Sequence, residues 1–286
     1  MKAATSLLLM FCCASAAGQP VPEAPDKTRL TVLISASSIG YTGSLVALNE
    51  VWYAQYPRQS FRFFNDAREW QQMDKVGHLY SAFQLSNVAS RTLKWARVSP
   101  AKTALWGSVA AFTMTSSIEI FDGFSAGYGA SASDLAANFL GSSLYLSQEA
   151  AWGEVRIQPK FSFHRTALAP ERPELLGNGL HEELIKDYNG QTYWLSFDMD
   201  KFMRFPKWLN LCVGYGAHDM VRGIPQPGDS FTPYRQFYLG LDFDVNAIPT
   251  RSKWVRSLLF VANMIRLPAP AIEFARNRTR IHGFYF

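Results

Sequence analysis

Within the stretch Asp66–Trp152, the segments 74-DKVGH-78, 119-EIFDG-123 and 131-SASDLAANFLG-141 place pairs of polar residues on otherwise apolar helices. The partners in each pair are three or four positions apart, so both lie on one helix face. The pairs are Asp74 with His78, Glu119 with Asp122, and Asp134 with Asn138. Charged side chains are rarely buried unless they pair, bind a metal or take part in chemistry. The pattern therefore predicts one polar site inside a helical bundle.

Periodicity and capping residues predict about four helices around these pairs. The predicted ranges are 30–54, 66–95, 99–123 and 131–152. The first is apolar and long enough to cross a bilayer or to form the centre of a bundle. The second opens at Asp66, with Glu69 three positions later as in a capping box. Ser131 and Asp134 have the same spacing, so a simple cap is the structural alternative for Asp134.

From Glu154 onward the hydrophobic period changes to two, which is typical of strands in an antiparallel sheet. The predicted strands are 155–163, 193–199, 209–215, 237–245 and 281–286. A basic amphipathic helix, Arg251–Arg266, precedes the last strand and either packs on the protein or lies on an anionic lipid surface. The fold class is therefore α+β: an N-terminal bundle of about four helices, followed by a C-terminal antiparallel sheet with one amphipathic helix.

The aromatic C-terminal strand ending at Phe286 resembles those of outer-membrane barrels, but five strands are too few to close one. We therefore expect an open sheet packed on the helices and in contact with the outer membrane. The predicted regions are a signal peptide at 1–18, a linker at 19–29, the helical bundle at 30–152 and the sheet region at 153–286.

The N-terminus predicts export. Lys2, a short apolar run and the small residues of Ala14–Gly18 form a secretory signal cleaved near its end. The alternative is a lipoprotein signal with Cys12 or Cys13 acylated, although the bulky Phe11 departs from the usual small residue before the cysteine. Cleavage would leave only Cys212, which excludes an intrachain disulfide.

Composition limits the partners. The 28 Lys and Arg residues exceed the 23 Asp and Glu residues by too little to predict nucleic-acid binding. Aromatic residues make up 14% and charged residues only 18% of the chain, a balance that favours a membrane environment. We expect membrane lipid or the outer-membrane surface as partner, with an envelope protein as a further candidate and no nucleic acid.

The ordered motifs Asp74-Lys75-x-x-His78, Glu119-x-x-Asp122-Gly123 and Ser131-x-x-Asp134-x-x-x-Asn138-x-x-Gly141 resemble those of the YfiM-like predicted periplasmic lipoproteins. They are also similar to motifs of VanZ-like membrane proteins. The segment Lys186–Trp194 resembles longer members of the first family. The resemblance implies a location in the bacterial envelope, in the periplasm or at the outer membrane, and implies no particular reaction.

The polar set contains several oxygen ligands and one imidazole, which suits a divalent metal ion. Two acids in the last helical turn, Glu119 and Asp122, face the negative end of the helix dipole and favour a nearby cation. The candidate metal ligands are Asp74, His78, Glu119, Asp122 and Asp134. The candidate ligand-binding residues are Lys75, Asp122, Asn138 and Ser131.

Three interpretations of this set stay open. In the first, the protein is not an enzyme, and Lys75 and His78 neutralise the acids in a structural or ligand-binding network. In the second, a metal activates water on an envelope lipid or glycan. In the third, His78 is a general base oriented by Asp74 or Glu119. The candidate catalytic residues are His78, Asp74, Glu119 and Asp134.

Overall fold

The computed structural model describes residues 24–53 and 56–286. Long helices occupy the N-terminal half and a six-stranded antiparallel sheet the C-terminal half, which confirms the predicted α+β class. The predicted signal peptide, both N-terminal cysteines and most of the predicted linker lie outside the described residues.

The helices follow the predicted order. The long ones are α1 (Lys27–Leu48), α2 (Met73–Trp95), α3 (Pro100–Phe124) and α4 (Ala132–Trp152). The shorter ones are α5 (Pro173–Leu176), α6 (Leu180–Lys186) and α7 (Lys253–Ala262). Helices α2, α3 and α4 pack on one another and carry the three predicted polar pairs.

Helix α1 begins inside the predicted linker. Asp26 is its N-cap and accepts a hydrogen bond from the backbone N–H of Arg29 at 3.1 Å. The helix ends at Leu48 and continues as a π-helical turn, Asn49–Tyr53. Among the described residues, α1 alone is long and apolar enough to cross a membrane, and none of its residues is buried.

The start predicted for the second helix is wrong. Helix α2 begins at Met73, and the preceding Trp70, Gln71 and Gln72 have left-handed φ values between 48° and 65°. The Asp66 carboxylate does not cap this helix. It instead accepts hydrogen bonds from Ser131, Ser133 and Lys75, as described below.

Glycine allows the closest approach between α2 and α4. A Cβ atom at Gly141 would lie 2.2 Å from the backbone oxygen of Leu79. Such a contact is far inside van der Waals distance, so a larger residue would push the helices apart. On α4, Gly141 lies one helical turn after Asn138, and on α2, Leu79 is next to His78. The crossing therefore places Asn138 close to His78.

The sheet is an antiparallel meander in which each strand pairs with the next along the chain. Its strands are β1 (Ile157–Phe163), β2 (Gln191–Phe197), β3 (Leu209–His218), β4 (Tyr234–Phe243), β5 (Ala269–Ala275) and β6 (Arg278–Tyr285). Strand β5 was not predicted, because Pro270 indicated a break rather than a strand. A register shift between Ala269 and Ala271 accommodates this proline.

The inner, concave side of the sheet carries buried charges beside a cluster formed by Trp194, Cys212, Tyr238 and Ala271. Lys160 on β1 and Asp242 on β4 form an ion pair of 2.7 Å, and both side chains are almost fully buried. Arg266 lies over the ring of Trp194, with its Cζ 3.9 Å from the ring centroid, and donates to the backbone oxygen of Tyr285. The sheet is therefore held together by paired charges as well as apolar contacts.

Helix α7 matches the predicted amphipathic helix but is shorter than Arg251–Arg266. Its apolar side does not pack on the protein, because Trp254 is 83% exposed and Leu258 is 69% exposed. Phe260 alone of this helix is buried, and the Arg91 guanidinium lies over its ring.

Candidate functional site

His78 is fixed by a residue on the facing helix. Its Nδ1 lies 3.0 Å from the amide oxygen Oδ1 of Asn138. An amide oxygen only accepts hydrogen bonds, so Nδ1 carries a proton and donates. The close α2–α4 crossing at Gly141 brings these two residues together. In the neutral imidazole, this bond leaves the Nε2 lone pair free.

Nε2 of His78 faces two carboxylates. It lies 3.7 Å from Oδ1 of Asp74 on its own helix and 3.9 Å from Oε1 of Glu119 on α3. Glu119 is only 2% exposed, and its Oε1 has no hydrogen-bond partner among the described residues. These three groups therefore surround a common point. The Nε2 lone pair of His78 and Oε1 of Glu119 could each still bind a ligand there.

Lys75 joins three acids on the other side of Asp74. Its ammonium lies 2.6 Å from Asp66, 2.9 Å from Asp74 and 2.9 Å from Asp134. Sequence reasoning assigned Asp66 to a helix cap and so missed it as a member of the site. The Asp74 carboxylate therefore lies between the Lys75 ammonium on one side and the His78 imidazole on the other.

The start of α4 explains why Asp134 is available to Lys75. Ser131 is the N-cap and accepts from the backbone N–H of Asp134, as the cap interpretation predicts. In a capping box, the Asp134 carboxylate would accept from the backbone N–H of Ser131. Here that N–H donates to Oε2 of Glu119 at 2.8 Å, so the Asp134 carboxylate is left to pair with Lys75. The hydroxyl of Ser131 donates to Asp66.

Asp122 lies at the edge of the site. Its Oδ1 accepts a hydrogen bond of 2.8 Å from the hydroxyl of Tyr53, in the turn after α1. Tyr53 also lines a cavity of about 480 Å³ whose wall is mostly aromatic and apolar. Other residues of that wall are Tyr56, Ile120, Phe121 and Phe124.

Tyr188 joins the site from the region between α6 and β2. Its hydroxyl donates to Oδ1 of Asp74 at 2.9 Å. In the sequence, Tyr188 lies in the segment Lys186–Trp194, whose family resemblance implied no role for this residue. Neither Tyr53 nor Tyr188 has a helical-spacing signal, because each reaches the site from a distant part of the chain.

Burial and mutual repulsion change the acidity of the site. Burial raises the pKa of Glu119 to about 8 and that of Asp122 to about 7. Burial and the Asp74 charge raise the pKa of Asp134 to about 6. Burial opposes the charge on His78, but Asp74, Asp134 and Glu119 outweigh it, and the His78 pKa is raised.

Seven of the eight residues predicted for the site lie in one network of contacts, although not around one point, and Asp122 lies beside that network. Asp74, His78 and Asp134 each offer a ligand atom, and these atoms lie within 4.8 Å of one another. Glu119 adjoins this group through His78, whereas Asp122 is held by Tyr53. Asn138 and Ser131 orient their neighbours, and Lys75 balances charge. The geometry is compatible with a cation between the carboxylates and with proton transfer at Nε2 of His78.

Residues 62–148 match the model of a family described as "Predicted periplasmic lipoprotein (DUF2279)". The match covers α2, α3 and most of α4, and so includes all eight predicted site residues. It supports the resemblance to a periplasmic lipoprotein family, and it stops before the sheet. Searches of curated proteins and of solved structures found no match to this chain.

Proposed function

We propose that the protein is an exported envelope protein that binds a divalent cation in its helical bundle through Asp74, His78 and Asp134, with Glu119 adjoining. The observation that carries this proposal is the convergence of three ligand atoms within 4.8 Å of one another. Carboxylate oxygens with a single imidazole suit Mn²⁺, Fe²⁺ or Zn²⁺. The cation would hold α2, α3 and α4 in register.

The environment of His78 supports this assignment. Metal-ligating histidines almost always donate the other ring N–H to a carbonyl or carboxylate oxygen, which fixes the tautomer. His78 makes such a bond with Oδ1 of Asn138. A histidine serving only as a charge partner would gain more from a bond to an acid at Nδ1.

The charge count also favours a cation. Asp66, Asp74 and Asp134 surround one lysine, Asp74 and Glu119 lie near one histidine, and Asp122 lies beside them. With only these two bases nearby, burial raises the pKa of Glu119 to about 8 and that of Asp122 to about 7, and a bound cation would favour their charged forms. Lys75 balances one side of Asp74, and on the other side Oε1 of Glu119 has no hydrogen-bond partner in the described part of the chain. Buried acids require compensation.

Calorimetric titration with Mn²⁺ alone tests the proposal. The wild-type chain should bind one equivalent, and Asp134→Asn and His78→Gln should each weaken binding at least tenfold. The matched controls are Glu174→Gln and His181→Gln, at exposed positions outside the cluster. Equal binding by all five proteins, or no binding by the folded wild type, would refute the cation site.

Lys75→Met separates this proposal from a purely structural network. Without the ammonium, Asp66, Asp74 and Asp134 repel one another, and the variant should melt at a lower temperature. If the bundle binds a cation, added Mn²⁺ should restore much of the melting temperature through binding to the folded state. A loss that Mn²⁺ leaves unchanged favours the structural network.

The envelope location is a further part of the proposal. The family description supports a periplasmic lipoprotein, and hence acylation at Cys12 or Cys13 in place of cleavage near Gly18. Association with the outer membrane is the location we propose. Cell fractionation tests it, and the mass of the mature N-terminal peptide distinguishes an acylated cysteine from an unmodified end near Gly18.

A second candidate function is a hydrolase or transferase acting on an envelope lipid or glycan. The observation in its favour is Nε2 of His78 beside the Glu119 carboxyl, with the aromatic cavity adjoining Asp122 through Tyr53. His78 would take a proton from the attacking group, as general bases do. Conversion of an envelope lipid extract by the wild type but not by folded His78→Gln would establish this function.

A further inference from the structure

The convex face of the sheet is apolar. One row across four paired strands consists of Val213, Leu239, Ile272 and Ile281. Ile272 is half-buried, and the exposed large apolar residues of this face range from 37% for Leu211 to 81% for Ile281. The alternate positions on the same strands point to the buried concave side, where polar residues lie beside an aromatic cluster. Buried residues there include Asn210, Cys212, Asp242 and Glu273.

The exposed apolar side and the buried charges are the reverse of the pattern in a sheet with one face in water, although the inner side also buries Trp194 and Tyr238. Antiparallel sheets of water-soluble proteins normally bury the apolar face and hydrate the polar one. Strands that face lipid instead alternate apolar outward and polar inward. The buried Lys160–Asp242 ion pair belongs to the inward side of this pattern.

The sheet is strongly curled, so the convex face points in several directions. In a flat sheet, β2 and β6 would lie about 19 Å apart, four strand spacings of about 4.8 Å each. The hydroxyl oxygens of Thr192 on β2 and Tyr285 on β6 nevertheless lie 3.2 Å apart on the concave side. A protein partner covers one side of a molecule, whereas lipid can contact a curved surface all along its convex side.

Basic residues flank the apolar face at both strand ends. At one end, the exposed arginines are Arg235 on β4, which also donates to Tyr215 and Gln72, and Arg276 in the β5–β6 turn. At the other, Arg204, Lys207 and Trp208 are exposed just before β3. Phe237 and Phe243, on the convex face of β4 between these ends, are about 20 Å apart at the usual rise per residue. Cationic and aromatic borders complement anionic headgroups on both sides of a hydrocarbon layer.

We propose that the convex face of β3–β6 contacts the hydrocarbon of an anionic phospholipid bilayer. This rests on the envelope location proposed above and is independent of the cation site. It assigns the lipid contact to the sheet rather than to α1, the described helix that is long and apolar enough to cross a membrane. Cell fractionation can therefore confirm the envelope location even if the sheet does not contact lipid.

The test places a fluorophore on the sheet. The full chain carries Cys12→Ser, Cys13→Ser and Cys212→Ala, and a single new cysteine at Leu239→Cys is labelled with an environment-sensitive dye. The matched control is Ser230→Cys in the exposed β3–β4 connection. Vesicles of phosphatidylethanolamine and phosphatidylglycerol, with or without brominated acyl chains, provide the bilayer. Circular dichroism first checks that both labelled proteins are folded.

With vesicles, the dye at residue 239 should shift to the blue, brighten several-fold and be quenched by brominated chains, whereas the dye at residue 230 should not change. A dye at residue 239 that stays water-like while the chain floats with vesicles would overturn the inference. So would an equal shift without lipid, with self-association shown by sedimentation, because a second copy would then cover the face.

Discussion

At the scale of single residues, Asn138 determines which nitrogen of His78 is free. Asn138→Leu should weaken Mn²⁺ binding by about 10–100-fold, because the bond that orients the imidazole is lost. Asn138→Asp keeps an acceptor oxygen and should retain binding within a few-fold. Calorimetric titration of the two variants measures both effects. Equal losses in both would show that Asn138 only fills space.

Asp198, in the connection after β2, gives a pH-dependent stability. Burial, together with Asp200 and Asp244, raises its pKa to about 7, above the value of about 3.9 in an unfolded chain. A raised acid pKa contributes stability at pH values below the unfolded pKa, and this is lost as the pH rises through the folded pKa. Asp198→Asn should therefore gain stability relative to wild type between pH 4 and pH 8.

Thermal unfolding across that pH range measures the difference, with the exposed Glu171→Gln variant as control. A stability difference between Asp198→Asn and wild type that is constant with pH would mean that Asp198 is not under the repulsion described here.

At the scale of elements, the α2–α4 crossing depends on Gly141. Gly141→Ala would bring a Cβ to 2.2 Å from Leu79 O, and overpacking of this kind costs about 1–3 kcal/mol of unfolding free energy. Gly43→Ala in α1 is the matched control, because no atom of residues 24–53 or 56–286 comes within 4 Å of its Cβ position. Chemical denaturation should show a loss only for Gly141→Ala. A loss of equal size at both sites would contradict close packing at the crossing.

The sheet contains its own buried ion pair, between Lys160 and Asp242. Lys160→Met should cost about 3–5 kcal/mol, since it leaves a buried carboxylate without its partner. Lys160→Met with Asp242→Asn should cost less than the single change, because no unpaired charge remains. A double variant as unstable as the sum of the single variants would show that the two charges do not interact.

At the scale of the whole molecule, sequence patterns predicted the helices and strands whose formation depends on residues close together in the chain. Helical period and capping residues gave the four long helices, and the period of two gave five of the six strands. The start of α2 was wrong because Asp66 bonds to residues of the distant α4 segment rather than to its own helix. Strand β5 was missed because the sheet accommodates Pro270 at a register shift.

The candidate site shows the same division. The paired residues on α2, α3 and α4 were found because helix geometry puts positions three or four apart on one face. Tyr53 and Tyr188 were not found, because only the tertiary fold brings them to Asp122 and Asp74. The exposure of the apolar side of α7 could not be read from its periodicity, which is the same for a packed helix and a lipid-facing one.

Pulsed electron paramagnetic resonance of the chain loaded with Mn²⁺ tests the central claim most directly. The account predicts one bound Mn²⁺ with a nitrogen coupling from a single imidazole, lost in His78→Gln and kept in His181→Gln. A bound Mn²⁺ without nitrogen coupling, or a coupling that survives His78→Gln, would contradict a cation site built around His78.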